Sequence, residues 1–121
     1  MLATAYEKEF RDQTAIAGIG YSRSPGVPGG FTRRSGMTVQ TLVVRAALDA
    51  CNDAGLDPKE LDGGICYGLQ DTVWPRNVLT ALGVKNINWD ATIEGGGNCS
   101  TACYLNALQA VRHGICNYVL A

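Results

Sequence analysis

Ile93-Glu94-Gly95-Gly96-Gly97-Asn98-Cys99-Ser100-Thr101-Ala102-Cys103 is the stretch on which the fold turns. The residues before it, Asn86 to Ile93, read as a strand. Three glycines then break the extended run and let the backbone turn sharply. A helix is predicted from about Asn98 to His113, with Gly114 closing it and Cys116 to Ala121 starting another strand. Ala102, Cys103, Leu105, Ala107, Leu108, Ala110 and Val111 cover most of that helix. Asn106, Gln109 and His113 form only a narrow polar line, with Arg112 beside it. A helix apolar nearly all round belongs inside a protein, with a further layer on its far side.

Working outward, the same alternation recurs. Thr14-Ala15-Ile16-Ala17-Gly18-Ile19-Gly20-Tyr21 reads as a short buried strand, and Ser22 to Gly36, with two prolines and four glycines, as a long surface loop. Thr38 caps a helix whose Val39, Leu42/Val43, Ala46/Ala47, Ala50/Cys51 and Ala54 recur at threes and fours, and Gly55 ends it. Asp57-Pro58-Lys59-Glu60 places an acceptor, a proline at the first helical position and a glutamate three residues after the cap, which predicts a short capped turn. Gly64 to Gly68 reads as a strand, and Pro75 and Gly83 bracket a helix containing Val78, Leu79 and Leu82. The sum is an α/β chain, β-α-β-α-β-α-β, with a mostly parallel sheet and right-handed crossovers.

Composition removes several function classes. The 121 residues carry 10 Lys+Arg against 11 Asp+Glu, a formal net charge of −1, and Arg33-Arg34 is the one basic cluster, so nothing resembles the stripe of a nucleic-acid binder. No stretch approaches the roughly 20 apolar residues of a bilayer span. Residues 1–13 read as a polar leader and not as a signal peptide, which predicts a cytoplasmic protein. Cys51, Cys66, Cys99, Cys103 and Cys116 are odd in number and sit in apolar runs, so they read as reduced thiols, four of them buried. With no CxxC pair and His113 as the lone histidine, no metal site is predicted. Gly18-Ile19-Gly20 lacks the third glycine of a dinucleotide fingerprint, that position being Arg23, and no helix starts there. Asp90 and Glu94 read as solvated strand-end charges, and Trp74 and Trp89 as core or interface residues.

Chemistry concentrates at the glycine turn. Cys99 falls in the first turn of a helix, where unpaired N–H groups and the positive helix end favour an anion and lower a thiol's pKa. The same amides suit a phosphate or an oxyanion. The competing reading is a close helix–strand crossing in which Cys99 is buried filler.

These residues resemble the N-terminal part of the thiolase superfamily, in particular its sterol-carrier-protein and lipid-transfer-protein branch, from about Thr14 to Ala121. The resemblance rests on Ala15-Ile16-Ala17-Gly18-Ile19-Gly20, on Ser35-Gly36 before Val43-Val44-Arg45-Ala46-Ala47-Leu48-Asp49-Ala50, and on Ala54-Gly55-Leu56-Asp57-Pro58 running on to Gly63. It continues through Gly95-Gly96-Gly97-Asn98-Cys99-Ser100 and His113-Gly114-Ile115-Cys116 to Ala121. It implies a partial thiolase-like N-terminal domain over residues 14–121, whose apolar helix packs against a counterpart in a second half. It also implies a coenzyme A thioester as substrate, with no other cofactor. Cys99 is the match for the family's nucleophile, and Gly95, Gly96, Gly97 and Asn98 would line the substrate.

Two departures qualify this. Counting back from Val119-Leu120 through Gly114, the family nucleophile falls nearer Gly97. A Gly-Gly-Gly run also precedes this helix in the steroid side-chain aldolases, which use no such cysteine. The family's catalytic His, second Cys and aldolase tyrosines belong to a C-terminal half, so the chain is expected to be an N-terminal portion that is inactive by itself. Three functions stay open: acyl transfer through Cys99, retro-aldol cleavage of a β-hydroxyacyl-CoA without it, and a non-catalytic half-domain serving as a subunit-interaction module. The resemblance further implies a homodimer and a small OB-fold partner. A free-standing Rossmann-like binding module is the remaining architecture.

Overall fold

A computed structural model describes residues 12–69 and 71–121. The expected leader at 1–13 therefore lies outside the described residues, apart from Asp12 and Gln13.

The first helix, α1 (Val39–Ala54), begins where Thr38 Oγ1 accepts from the Thr41 amide at 3.2 Å and ends at Gly55, which holds the left-handed φ of 66°. Gly55 takes that conformation without a Cβ clash. Asp57 and Glu60 then form the reciprocal capping box predicted for them, around a 3-10 turn at Pro58–Glu60. Strand β1 (Gly63–Gly68) follows, then α2 (Pro75–Ala81), β2 (Trp89–Glu94), α3 (Cys99–Arg112) and the two-residue β3 (Val119–Leu120). The three strands are parallel, in the order β2-β1-β3. β1 pairs with β2 from Gly63↔Trp89 to Gly68↔Glu94, and with β3 at Gly63↔Val119 and Gly64↔Leu120.

Successive residues of β1 face opposite sides of the sheet. A methyl group on Gly64 would meet Leu79 Cδ1 at 3.0 Å and Pro75 Cβ at 3.1 Å, so the backbone of β1 lies hard against α2. One on Gly63 would meet Cys116 Sγ at 2.6 Å on the other side, where α3 packs across the strands. The main core joins Ala47 and Cys51 of α1 to Leu61, Val78, Leu79, Leu82 and Val84, and Leu79 is fully buried. Cys103, Ala110 and Cys116 are buried beneath α3. The outer side of that helix is open, with Tyr104 and Leu105 more than half exposed.

The class is as the sequence implies, but the first strand does not form. Residues 14–21 carry no ladder bonds and lie extended along α1. The Ile19 amide donates to Asp53 Oδ2 and the Tyr21 amide to Asp49 Oδ2, each at 2.9 Å. The match is metric: two extended residues rise about 6.6 Å and four helical residues about 6 Å. Two carboxylates four apart on a helix thus meet two amides two apart on an antiparallel segment. Gly18 and Gly20 make the approach possible, because a methyl on Gly20 would collide with the Ala46 carbonyl and with the backbone of Ala50. Ala46, Ala50 and Ala54 are thereby covered by the segment, while Ala47 and Cys51 face the core. Ile16 and Ile19 are left 72% and 61% exposed, against the expectation of a buried strand.

Smaller corrections follow from the same geometry. Three cysteines are buried, not four, since Cys66 and Cys99 are half-buried. Trp74 stands exposed ahead of α2 and Trp89 is half-buried. Asp90 is ion-paired with Arg76 on α2.

Candidate functional site

The turn 95–98 lies at the carboxyl ends of β1 and β2, the end of a parallel sheet where ligands bind in open α/β folds. Strand β2 can run straight into this turn because Gly95 takes φ 151°, a conformation that L side chains rarely adopt. A methyl on Gly95 would also stand 2.5 Å from Cys99 Sγ. Gly96 is looser, since its methyl would meet only Asn98 Oδ1 at 3.3 Å, and Gly97 has nothing within 4 Å. Of the three glycines, the fold demands Gly95, and Gly97 leaves open room.

The five residues singled out in the sequence, Gly95, Gly96, Gly97, Asn98 and Cys99, therefore sit together. Cys99 is the first residue of α3, and its amide donates to the Gly96 carbonyl at 2.9 Å. Asn98 occupies the N-cap position with helical angles (φ −65°, ψ −21°) and makes no side-chain cap bond. Its carboxamide oxygen instead lies 3.9 Å from Cys99 Sγ. Ser100 Oγ donates back to the Gly97 carbonyl at 2.8 Å, closing the first turn.

The thiol of Cys99 is half-buried and donates to the Glu94 carbonyl at 3.6 Å. These bonds go to oxygens, and among the described residues no basic side chain bonds to the thiol. His113 caps the far end of α3, about 20 Å away at 1.5 Å per residue, and is not placed to act on Cys99 as a base. Among the described residues, no group of three His, Cys, Asp or Glu side chains is placed to hold a metal ion. The thiols buried against the sheet are held in their protonated form. Burial pushes Cys103 up, with Cys66 and Cys99 adding to it, and burial pushes Cys116 up, with Asp62 adding to it.

One residue at this turn escaped the reading of the sequence. Tyr67, next to last in β1, donates its hydroxyl to the Gly95 carbonyl at 3.1 Å. A tyrosine inside a strand gives no sequence signal for a contact 28 residues away. A cleft of about 540 Å³, with Lys59, Asp62, Lys85 and Asn88 in its walls, opens at the opposite, amino ends of β1 and β2, and takes in none of these residues.

No protein-family model matches the chain. It is 33% identical over 109 residues to the 17-hydroxy-3-oxo-4-pregnene-20-carboxyl-CoA lyase of Mycobacterium tuberculosis, covering 90% of this chain and 26% of the lyase. It is 30% identical over 106 residues to a steroid side-chain-cleaving aldolase of Thermomonospora curvata, covering 88% of this chain and 25% of the aldolase. Among solved structures, the Ltp2-ChsH2(DUF35) aldolase superposes with a TM-score of 0.72 at 30% identity, over 84% of this chain and 25% of that one. The priming β-ketosynthase of the R1128 polyketide pathway superposes with a TM-score of 0.59 at 20% identity, over 84% of this chain and 38% of its own, a likeness of fold. The chain spans about a quarter of the length of the curated relatives it matches. It has a thiolase-type α/β fold, and its homologues include steroid side-chain-cleaving lyases and aldolases.

Proposed function

We propose that this chain is part of an enzyme that splits the side chain of a steroid, or a comparable lipid, carried as a coenzyme A thioester. The reaction is a retro-aldol cleavage. A base takes the proton of a β-hydroxyl, the Cα–Cβ bond breaks, the hydroxyl carbon becomes a carbonyl, and the electron pair passes to the thioester enolate, which is protonated at Cα. One observation carries this reading: one-third identity, across nine-tenths of the chain, to a lyase named for a CoA thioester whose 17-hydroxyl stands on the carbon β to the thioester carbonyl.

In this proposal Gly95, Gly96, Gly97 and Asn98 line the thioester, where backbone amides can hold the enolate oxygen. The acid–base groups come from outside these 121 residues, so that this portion has no turnover by itself. The proposal extends to a homodimer, to a small OB-fold partner and to a cytoplasmic location. The pairing of the Ltp2 structural neighbour with a DUF35 protein supports a partner, and five free cysteines suit a reducing compartment.

Acyl transfer with Cys99 as nucleophile is the second reading, favoured by the place of Cys99 as the first residue of α3. Steady-state assay of the native enzyme, with the acid–base groups from outside these 121 residues present, on a β-hydroxyacyl-CoA steroid, with Cys99→Ala beside it, separates the two. Retro-aldol chemistry is supported by release of a ketone and a shortened acyl-CoA that survives the substitution. Loss of all turnover in Cys99→Ala, with an acylated thiol trapped in the unsubstituted protein, supports acyl transfer. No product from any thioester sinks both.

A further inference from the structure

Strand β1 ends level with β2, Gly68 opposite Glu94, so the turn that carries Cys99 projects past the last backbone bond of the sheet. A glycine-rich turn left there has little to fix it, because glycine resists no rotation by itself. Tyr67 reaches across this gap. It is paired in register with Ile93, and its hydroxyl bonds to the Gly95 carbonyl two residues further on, just past the end of β2. The length of the phenol side chain matches that advance of about 6.6 Å. The bonded carbonyl belongs to the one glycine of the three whose φ the turn requires, and against whose Cα the Cys99 sulfur rests. Below the turn, Cys66 Sγ lies 3.5 Å from Thr92 Oγ1, again tying β1 to β2 by side chains.

We infer that Tyr67 is a positioning residue: its hydroxyl holds the Gly95 carbonyl and so fixes where the Cys99 side chain and the first-turn amides of α3 point. This rests on the reading of the turn as the substrate site, but the contact itself does not. Tyr67 is not placed on the substrate; it acts through the Gly95 peptide. A purely structural tyrosine would matter by its ring, which phenylalanine keeps.

Tyr67→Phe in the native protein tests the inference through three readouts: iodoacetamide labelling of Cys99 mapped by mass spectrometry, hydrogen exchange over residues 96–100, and the split between kcat and KM. Loss of one hydrogen bond of ordinary strength should speed both labelling and exchange by about fivefold. The value of kcat should fall about fivefold to tenfold while KM changes by less than about twofold. Labelling and exchange within about 1.5-fold of the unsubstituted protein would overturn the inference, as would a Tyr67→Phe chain that does not fold. If the unsubstituted protein cleaves no thioester, the proposed function fails, and the labelling and exchange results still decide the role of Tyr67.

Discussion

The sulfur of Cys99 rests against the α-carbon of Gly95, so closely that a methyl group on Gly95 would stand 2.5 Å from it. Together with φ 151° at Gly95, this makes the strand-to-helix turn specific for one glycine out of three. Gly95→Ala is expected to destabilise the protein by about 1–3 kcal/mol through backbone strain and overlap. Gly97→Ala, with open space around it, should cost less than about 1 kcal/mol. Urea unfolding of the two variants checks the contrast, and equal losses would mean that the turn relaxes freely.

Residues 14–21 depend on their two glycines in a different way. A methyl on Gly20 would run into the backbone of α1, so Gly20→Ala must lift the segment off the helix. The expected result is fast amide exchange at Ile19 and Tyr21, with the core amides of α1 unaffected. Asp49→Asn and Asp53→Asn should act on one amide each, Asp49 on Tyr21 and Asp53 on Ile19. Hydrogen exchange by NMR resolves the three variants.

Asp62 pins β3. Its carboxylate accepts from the Asn117 and Tyr118 amides at 2.9 Å, from Asn117 Nδ2 at 3.0 Å and from Asn88 Nδ2 at 3.3 Å. Asp62→Ala strands those donors and should cost about 2–4 kcal/mol, with Asp62→Asn losing roughly half of that because one acceptor oxygen remains. Equilibrium denaturation measures both. An Asp62→Ala protein as stable as the original would show that water replaces the carboxylate fully.

The buried thiols predict a pH dependence. Cys51, Cys103 and Cys116 are each held above the ordinary thiol value of 9.0, in every case mainly by burial. A group whose pKa is higher in the folded state contributes its full stabilisation below its unfolded pKa and loses it as pH rises through the folded one. Stability should therefore hold steady from about pH 7 to 8.5 and fall as pH rises past about 9. Cys116→Ala removes one such thiol and should flatten part of the alkaline slope. Urea midpoints against pH for the two proteins check it, and identical slopes would assign the loss to other groups.

Much of the framework was legible because its signals are local. Thr38 and Gly55 mark the ends of α1, and Asp57 with Glu60 closes its own capping box, through contacts three or four residues apart. The glycine turn and the start of α3 at Cys99 were readable for the same reason. The segment 14–21 was misread because its apolar content fits a strand, whereas its amides find Asp49 and Asp53, 28 and 34 residues away. Nothing in the spacing within 14–21 shows that a helix, and not a neighbouring strand, supplies the acceptors.

The sequence alone determined which residues turn, which coil into helices and which stretch, and it brought Gly95 to Cys99 together, because each of these follows from backbone freedom and short-range bonding. Only the tertiary structure decided that Gly95 and not Gly97 is indispensable, that Tyr67 bonds to the turn, and that the Cys99 thiol meets the Glu94 and Asn98 oxygens. The Tyr67 bond joins residues 28 apart in the chain, and the short-range contacts of Gly95 and Cys99 take their geometry from the way β2 runs into α3, which is set only once the strands are in register and α3 lies across them.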